Sequence, residues 1–425
     1  MTVVEAAFRE HRGPLLATLV AELRSFDLAE EALQDAFAAA AQQWASEGVP
    51  QRPAAWLLAV ARRRAVDRRR REETLARYLP RLITSPGEPV HSDDSLALLF
   101  ACCHPALGSE ARVALTLRFV AGLTVPEIAR LFLVPDATMA ARITRGKQKI
   151  RTAGIPLRMP SPDDLPERLP GVLSVLYLLF TEGYRSFRTE VAAEAIRLMR
   201  LLRELLPTDP DVRDLLALVL LQHSRRRARL RDGRLVLLAD QDRTLWNAVE
   251  AGEALTLLEA PGPLSAFRLQ ALIAARHAVA ARASDTDWAG IVECYERLEE
   301  LTGSPVVRLN RAVAVAECSG PAAALALLDG LGERLPRSHH LAAARAEMLL
   351  RLGEREAAVG EFDRALTLAP TAAEREFLAG RRVFALSGQS SGTAPGPSAS
   401  TGSGLSSGTG SDSPPVPVPE AERPM

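Results

Sequence analysis

The sequence predicts an all-α protein with two small helical parts, a longer array of helix pairs and a disordered tail. Three observations carry this. Residues 27–71 combine strong helix formers with apolar residues at helical spacing. Residues 118–151, RFVAGLTVPEIARLFLVPDATMAARITRGKQKIR, read as two short helices about a tight corner from Leu133 to Asp136, a helix-turn-helix. After a proline-rich stretch at 156–170 the chain is helical to about Leu386, and Arg311, Ala312, Ala324, Leu328 and Asp329 return 34 positions later as Arg345, Ala346, Ala358, Phe362 and Asp363. That period is the tetratricopeptide spacing, with small alanines where two helices approach closely.

Each element has its own logic. In DLAEEALQDAFAAAAQQW, Ala29, Leu33, Phe37, Ala40 and Trp44 line one side, and Asp27, Glu31 and Asp35 recur on another with Gln34 beside them. This acidic stripe is either a solvated face or a docking surface for a basic helical partner. The next helix starts near Ala54. Leu57, Leu58, Ala61 and Ala65 point inward, while Trp56, Arg63 and Arg70 line the outward side among Arg62, Arg64, Arg68, Arg69 and Arg71, with Asp67 as a brace for Arg63. Arginine density alone fits RNA, membrane or an acidic protein; an exposed Trp beside cations suits unpaired bases. In the helix-turn-helix, Met139, Ile143 and Ile150 form the inner face of the second helix, and Pro135 is its first residue. Arg142, Arg145 and Lys149 share another face, and no acidic residue falls between Arg142 and Arg151, so that face suits phosphates and guanine edges.

Composition excludes several classes. The 52 basic and 52 acidic residues cancel, but the basic ones cluster at 62–71 and 142–151. Cys102, Cys103, Cys294 and Cys318 form no CxxC pair, which points to a reducing cytoplasm. Cys102, Cys103 and His104 are adjacent and so point in different directions on a helix, a poor metal site; buried thiols and a helix-ending His-Pro are the expectation, with no metal and no cofactor. No signal peptide is evident. The longest apolar run, Val172 to Phe180, is shorter than the roughly 20 residues a membrane helix needs.

The order EEALQDAF…W, RPAAWLLAVARRRAVDRRRR, a Pro-rich linker, then GLTVPEIARLFLVPDATMAARITRGKQKIR resembles the bacterial extracytoplasmic-function (ECF) sigma factors of RNA polymerase. The first two stretches are similar to sigma domain two and the third to sigma domain four. The resemblance implies that Asp27, Glu31, Gln34 and Asp35 dock on the β′ clamp helices of core RNA polymerase, with the β flap as a further contact. It also implies that the loop 45–53 with Trp56, Arg62, Arg63, Asp67 and Arg70 holds the melted minus-ten element, and that Thr138, Arg142, Arg145 and Lys149 read the minus-thirty-five element. Energy spent on extruded bases offsets an unpairing cost of about a few kcal/mol. Leu133, Ala140 and Ala141 stand where many relatives carry a turn Gly and a Lys or Ser, so base preference is not carried over.

Further on, FTEGYR at 180–185, Gln241, Asp242, Arg243 and Trp246, LQALIAARHA at 269–278 and TDW at 286–288 resemble the C-terminal extension of a long sigma-factor subgroup, often encoded beside small YCII-like (DGPF) proteins. Asp242, Asp285, Asp287, His277 and Glu182 could serve acid-base chemistry, but no nucleophile elbow, phosphate loop or HExxH accompanies them, so no catalytic residue is assigned. A concave surface for a protein or small-molecule regulator fits better.

The expected organisation is sigma domain two at 1–76, a linker at 77–93, sigma domain four at 94–155, a linker at 156–170, a helical tetratricopeptide-like regulatory domain at 171–386 and a disordered, Gly/Ser/Pro-rich tail at 387–425. The expected function is that of an alternative sigma factor with partners in core polymerase and promoter DNA. The competing reading is a DNA-binding activator with a tetratricopeptide sensor, which has no reason to contain residues 27–71.

Overall fold

The computed structural model describes residues 3–75, 92–132, 134–185, 188–231, 234–370 and 372–387; most of the 77–93 linker, Leu133, Asp232 with Gly233, and the tail beyond 387 lie outside them. Most described residues are helical, and the strands among them are one two-stranded hairpin, Leu230–Arg231 against Arg234–Leu235. The chain forms two compact units, residues 1–183 with 189–204, and residues 184–188 with 205–425.

The first unit holds α1 (Val3–Leu23), α2 (Phe26–Glu47), α3 (Pro53–Leu75), α4 (Ser92–Cys102), α5 (Ser109–Leu115), α6 (Val125–Leu131), α7 (Asp136–Thr152), α8 (Leu165–Arg185, its first nineteen residues) and nearly all of α9 (Thr189–Leu205). The apolar faces read from sequence are its core: Ala29, Leu33, Phe37, Ala40 and Trp44 on α2, Leu57, Leu58, Ala61 and Ala65 on α3, and Met139, Ile143 and Ile150 on α7 are all buried. Between α5 and α6 the backbone widens into a π-turn, Thr116–Val120, an uncommon form that re-aims side chains within a helix. It faces Phe119 onto Phe26 of α2, ring centroids 4.7 Å apart. Helix α6 begins with a reciprocal cap, in which Glu127 N–H donates to Thr124 Oγ1 (3.4 Å) and Thr124 N–H donates to Glu127 Oε2 (2.8 Å), a T-x-x-E signal present in the sequence.

Gly13 in α1 lies so close to the π-turn that a Cβ there would sit 2.5 Å from the carbonyl oxygen of Val120. Gly→Ala inside a helix normally stabilises by up to about 1 kcal/mol. Here the obstacle is backbone, which cannot swing aside, and overpacking of about 1–3 kcal/mol should win. Gly13→Ala is therefore expected to lower the melting temperature by roughly 3–10 °C; a rise in calorimetry contradicts the close approach.

The second unit is built around α10 (Pro210–Ser224), buried from Val212 to Ser224. Asp214 at its centre is fully buried and accepts from Arg213 Nε (2.9 Å) and Arg268 Nη1 (3.2 Å), so its charge is compensated. Helices α11 (Ala248–Glu259), α12 (Ala266–Val279), α13 (Trp288–Thr302), α14 (Pro305–Cys318), α15 (Pro321–Leu328), α16 (Leu331–Arg334), α17 (His339–Leu352), α18 (Arg355–Leu368) and α19 (Ala372–Leu386) follow. The residues of the 34-residue period occupy matching places: Ala312, Ala324 and Leu328, like Ala346, Ala358 and Phe362, are at most 1 % exposed. Glu317 on α14 accepts from Arg351 on α17 (2.9 Å), and Glu347 on α17 accepts from Arg381 on α19, so each of these polar rungs joins residues 34 positions apart.

Candidate nucleic-acid interface

Helix α2 starts where Ser25 Oγ accepts from Leu28 N–H at 3.3 Å. Burial of its apolar face leaves Asp27, Glu31, Gln34 and Asp35 exposed along the opposite side. The acidic groups already have partners within the chain. Arg68 of α3 lies 3.0 Å from Glu31 and 3.7 Å from Asp35, and Lys147 of α7 pairs with Asp27. These pairs sit in water and are worth about 0–1 kcal/mol each, so a partner with a basic surface can replace them at little cost.

On α3 the structure corrects the view of Trp56 as a free outward ring. It is half-buried and leans on buried Trp44, centroids 5.5 Å apart with the planes 60° to one another. Arg62 Nε donates to Glu22 at 3.0 Å, while Arg63, Arg64 and Arg70 are exposed. Asp67 is half-buried, and among the described residues no ion pair joins it to Arg63; the arginines of this helix are steadied by Glu22, Glu31 and Asp35 from neighbouring helices instead.

In the helix-turn-helix, Pro135 caps α7 from just outside, with ψ of 147°, and is not its first residue. Thr138, Arg145 and Lys149 are exposed on one side of α7. Arg142 differs from them: its guanidinium lies 2.8 Å from Glu110 and 5.4 Å from the Phe132 ring centroid, tying α7 to α5 and α6. Gly146 permits the close pass of α7 over Leu115, since a Cβ there would meet Leu115 Cδ1 at 2.9 Å.

A cluster that periodicity did not reveal fixes the α1–α3 part to the helix-turn-helix part. Glu30, next to the exposed stripe but turned inward, accepts from Arg118 of the π-turn, and Arg12 Nη1 donates to the Arg118 carbonyl at 3.2 Å. Burial lowers both guanidiniums to about 10, Arg12 eased by nearby Glu127 and Arg118 lowered further by Arg12. The partners lie 88 and 106 positions apart in sequence, beyond the reach of any local pattern. Cys102 and Cys103 are buried thiols, Cys103 pushed up to about 12 by burial, and His104 Nδ1 accepts from Ala106 N–H at 3.1 Å.

In the second unit the 241–246 motif fastens the segment after the hairpin. Gln241 Nε2 donates to the Val236 carbonyl (3.2 Å), and Asp242 accepts from Thr244 Oγ1 (2.6 Å) and N–H (2.9 Å), which hold its carboxyl below the usual range. Arg243 donates to the carbonyls of His277 (2.5 Å) and Ala280 (2.8 Å) at the end of α12, and stacks 4.7 Å from the Trp246 ring centroid. His277 is lowered to about 3, first by burial and then by Arg225 and Arg243. The unfolded chain takes up this proton below its ordinary value of about 6.5 and the folded chain does not, so stability is lost as pH falls through that window. The melting temperature of the second unit is expected to fall from pH 6.5 to 4.5, and less steeply in His277→Phe; identical slopes contradict a buried neutral imidazole.

An acid-striped helix, an arginine-rich helix and a helix-turn-helix, held in one unit, define a bipartite transcription-initiation protein. Three families match the chain: Sigma-70 region 2 over residues 7–74, Sigma-70, region 4 over 97–150, and a family of unknown function, DUF6596, over 168–261. An uncharacterized protein of Rhizobium meliloti (strain 1021) is 42% identical over 400 residues, 88% of this chain and 94% of that protein. ECF RNA polymerase sigma factor SigK of Mycobacterium sp. (strain KMS), and that of strain JLS, are each 31% identical over 152 residues, 33% of this chain and 77% of the relative. The chain belongs to the ECF family of RNA polymerase sigma factors. It is an alternative sigma factor with a C-terminal extension, and the region 2 match over residues 7–74 sets aside the activator reading. The sigma-70 families bind core polymerase and promoter DNA and are not enzyme families. Among the described residues no helix is long and apolar enough to cross a membrane.

Proposed function

We propose that Asp27, Glu31, Gln34 and Asp35 dock on the β′ clamp helices of core RNA polymerase, and that Thr138, Arg145 and Lys149 enter the major groove of the minus-thirty-five element. Arg142, on the same face, is held by Glu110 and Phe132 and reaches DNA only by leaving Glu110. Trp56, Arg62, Arg63, Asp67 and Arg70 with the loop 45–53 receive the minus-ten strand, and residues 94–155 also meet the β flap. The observation that carries this reading is the exposure of Glu31, Gln34 and Asp35 on α2 and of Thr138, Arg145 and Lys149 on α7, beside apolar faces that are fully spent in the core. Burial explains the apolar residues and leaves these polar ones with at most weak surface pairs to contribute to folding.

The second unit is a tetratricopeptide-like regulatory module in this proposal, supported by the 34-residue period and its polar rungs. The chain acts in the cytoplasm, where polymerase is, and catalyses no reaction. Residues 205–425 are removed to test the regulatory part, which leaves α8 and α9 with the first unit where they pack. Transcription from a promoter that the full chain uses should change in vitro or in cells; equal activity of the two chains overturns it.

A further inference from the structure

The second unit contains a cavity between α10, α12, α13 and α14 that the sigma-factor role does not use. It holds about 840 Å³ of atom-free space including its open mouth, so its occupant is small. The walls are mostly apolar, with Trp288, Ile291, Val307 and Val313 among them, and no carboxylate lines it.

Three polar side chains at one end are more than nine-tenths buried. Gln222 is 7 %, Arg225 8 % and His277 9 % exposed. Among the described residues the side chains of Gln222 and His277 have no hydrogen-bond partner. Arg225 donates to the Tyr184 hydroxyl at 3.2 Å and lies 5.9 Å from the Trp246 ring centroid, with no carboxylate partner among the described residues. Buried arginines are ordinarily matched by a carboxylate, as Arg213 and Arg268 are matched by Asp214 in this same unit. His277 is lowered first by burial and only then by the charges of Arg225 and Arg243.

We propose that this cavity binds a small organic carboxylate with a short apolar body, its head group on Arg225 and Gln222 and its body against Trp288, Ile291 and Val307. Gln222 offers amide donors and Arg225 a fixed charge, so acid is distinguished from the isosteric amide. The inference concerns binding alone and deepens the regulatory reading by naming what the module would sense. Binding is read directly, so it stands or falls apart from any effect on transcription.

The experiment titrates the full-length chain with benzoate and hexanoate, and with benzamide and hexanamide as neutral counterparts, following tryptophan fluorescence and thermal unfolding. At least one carboxylate should perturb the fluorescence and raise the melting temperature below about 10 mM, with its amide about tenfold weaker or more. Ala314→Leu adds bulk inside the cavity and is expected to abolish binding, since Ala314 lines it and is 2 % exposed. Gln222→Leu should weaken binding, and Arg225→Gln should erase the preference for acid over amide. No binding by either carboxylate to chain that melts cooperatively overturns the proposal. So does equal affinity for acid and amide, or binding untouched by Ala314→Leu.

Discussion

Asp35→Arg is expected to lower affinity for core RNA polymerase by roughly 30-fold to several thousand-fold, the range for disrupting a desolvated charge at an interface. The free chain should scarcely notice. Asp35 is half exposed, its contact with Arg68 is 3.7 Å long, and such a pair is worth about 0–1 kcal/mol. The substitution thus separates docking from folding, with melting temperature as control. Glu30→Ala is the informative contrast, because Glu30 is five residues away but faces inward to Arg12 and Arg118. Removing it takes the paired carboxylate from two largely buried guanidiniums and leaves them only nearby Glu127, a loss of up to about 3–5 kcal/mol that should strongly destabilise the first unit. Anisotropy of labelled chain titrated with core reads the first effect. Unchanged affinity of a folded Asp35→Arg chain contradicts the assignment of the stripe.

Arg145→Ala should weaken holoenzyme binding to the upstream promoter element by roughly 5- to 150-fold, corresponding to about 1–3 kcal/mol for one good base contact. Melting temperature should stay put, since Arg145 is exposed and the structure gives it no ion pair among the described residues. If the contact is to phosphate instead, the loss is similar across sequences and the salt dependence falls by about one ion. Arg142→Ala should behave the other way. Its guanidinium is engaged by Glu110 and Phe132, so its removal loosens α7 and lowers stability before it touches DNA binding. Equal melting temperatures and equal binding losses for the two variants contradict this division of labour.

Faces of single helices were legible in the sequence because burial repeats with the helical turn. The inner sides of α2, α3 and α7 follow from that period alone, and so do the alanines of the 34-residue repeat, where two helices must pass closely. Side chains that act across long stretches of chain were not legible. The Arg12–Glu30–Arg118 cluster depends on a π-turn that no propensity marks, and the Gly13 approach to Val120 depends on where that turn lies. Gly13 followed by Pro14 is the one local hint, an unusual pair for a helix interior. Spacing suggested that Trp56 faces outward and that Asp67 braces Arg63, but spacing carries no information about Trp44 or Glu22. Arg142 and Arg145 share a face in projection and differ only because Glu110 and Phe132 reach one of them. In the second unit the motif at 241–246 was recognisable, yet its work of fastening α12 required seeing the carbonyls of His277 and Ala280.

In the function proposed above, this chain joins core polymerase through α2 and brings it to promoters through α3 and α7. Purified core enzyme, the full-length chain and a genomic fragment library, followed by sequencing of the transcripts, test it most directly. Start sites should cluster downstream of one shared pair of promoter elements and vanish with Asp35→Arg. Absence of a complex with core at low salt, or starts no different from those of core alone, contradicts the account.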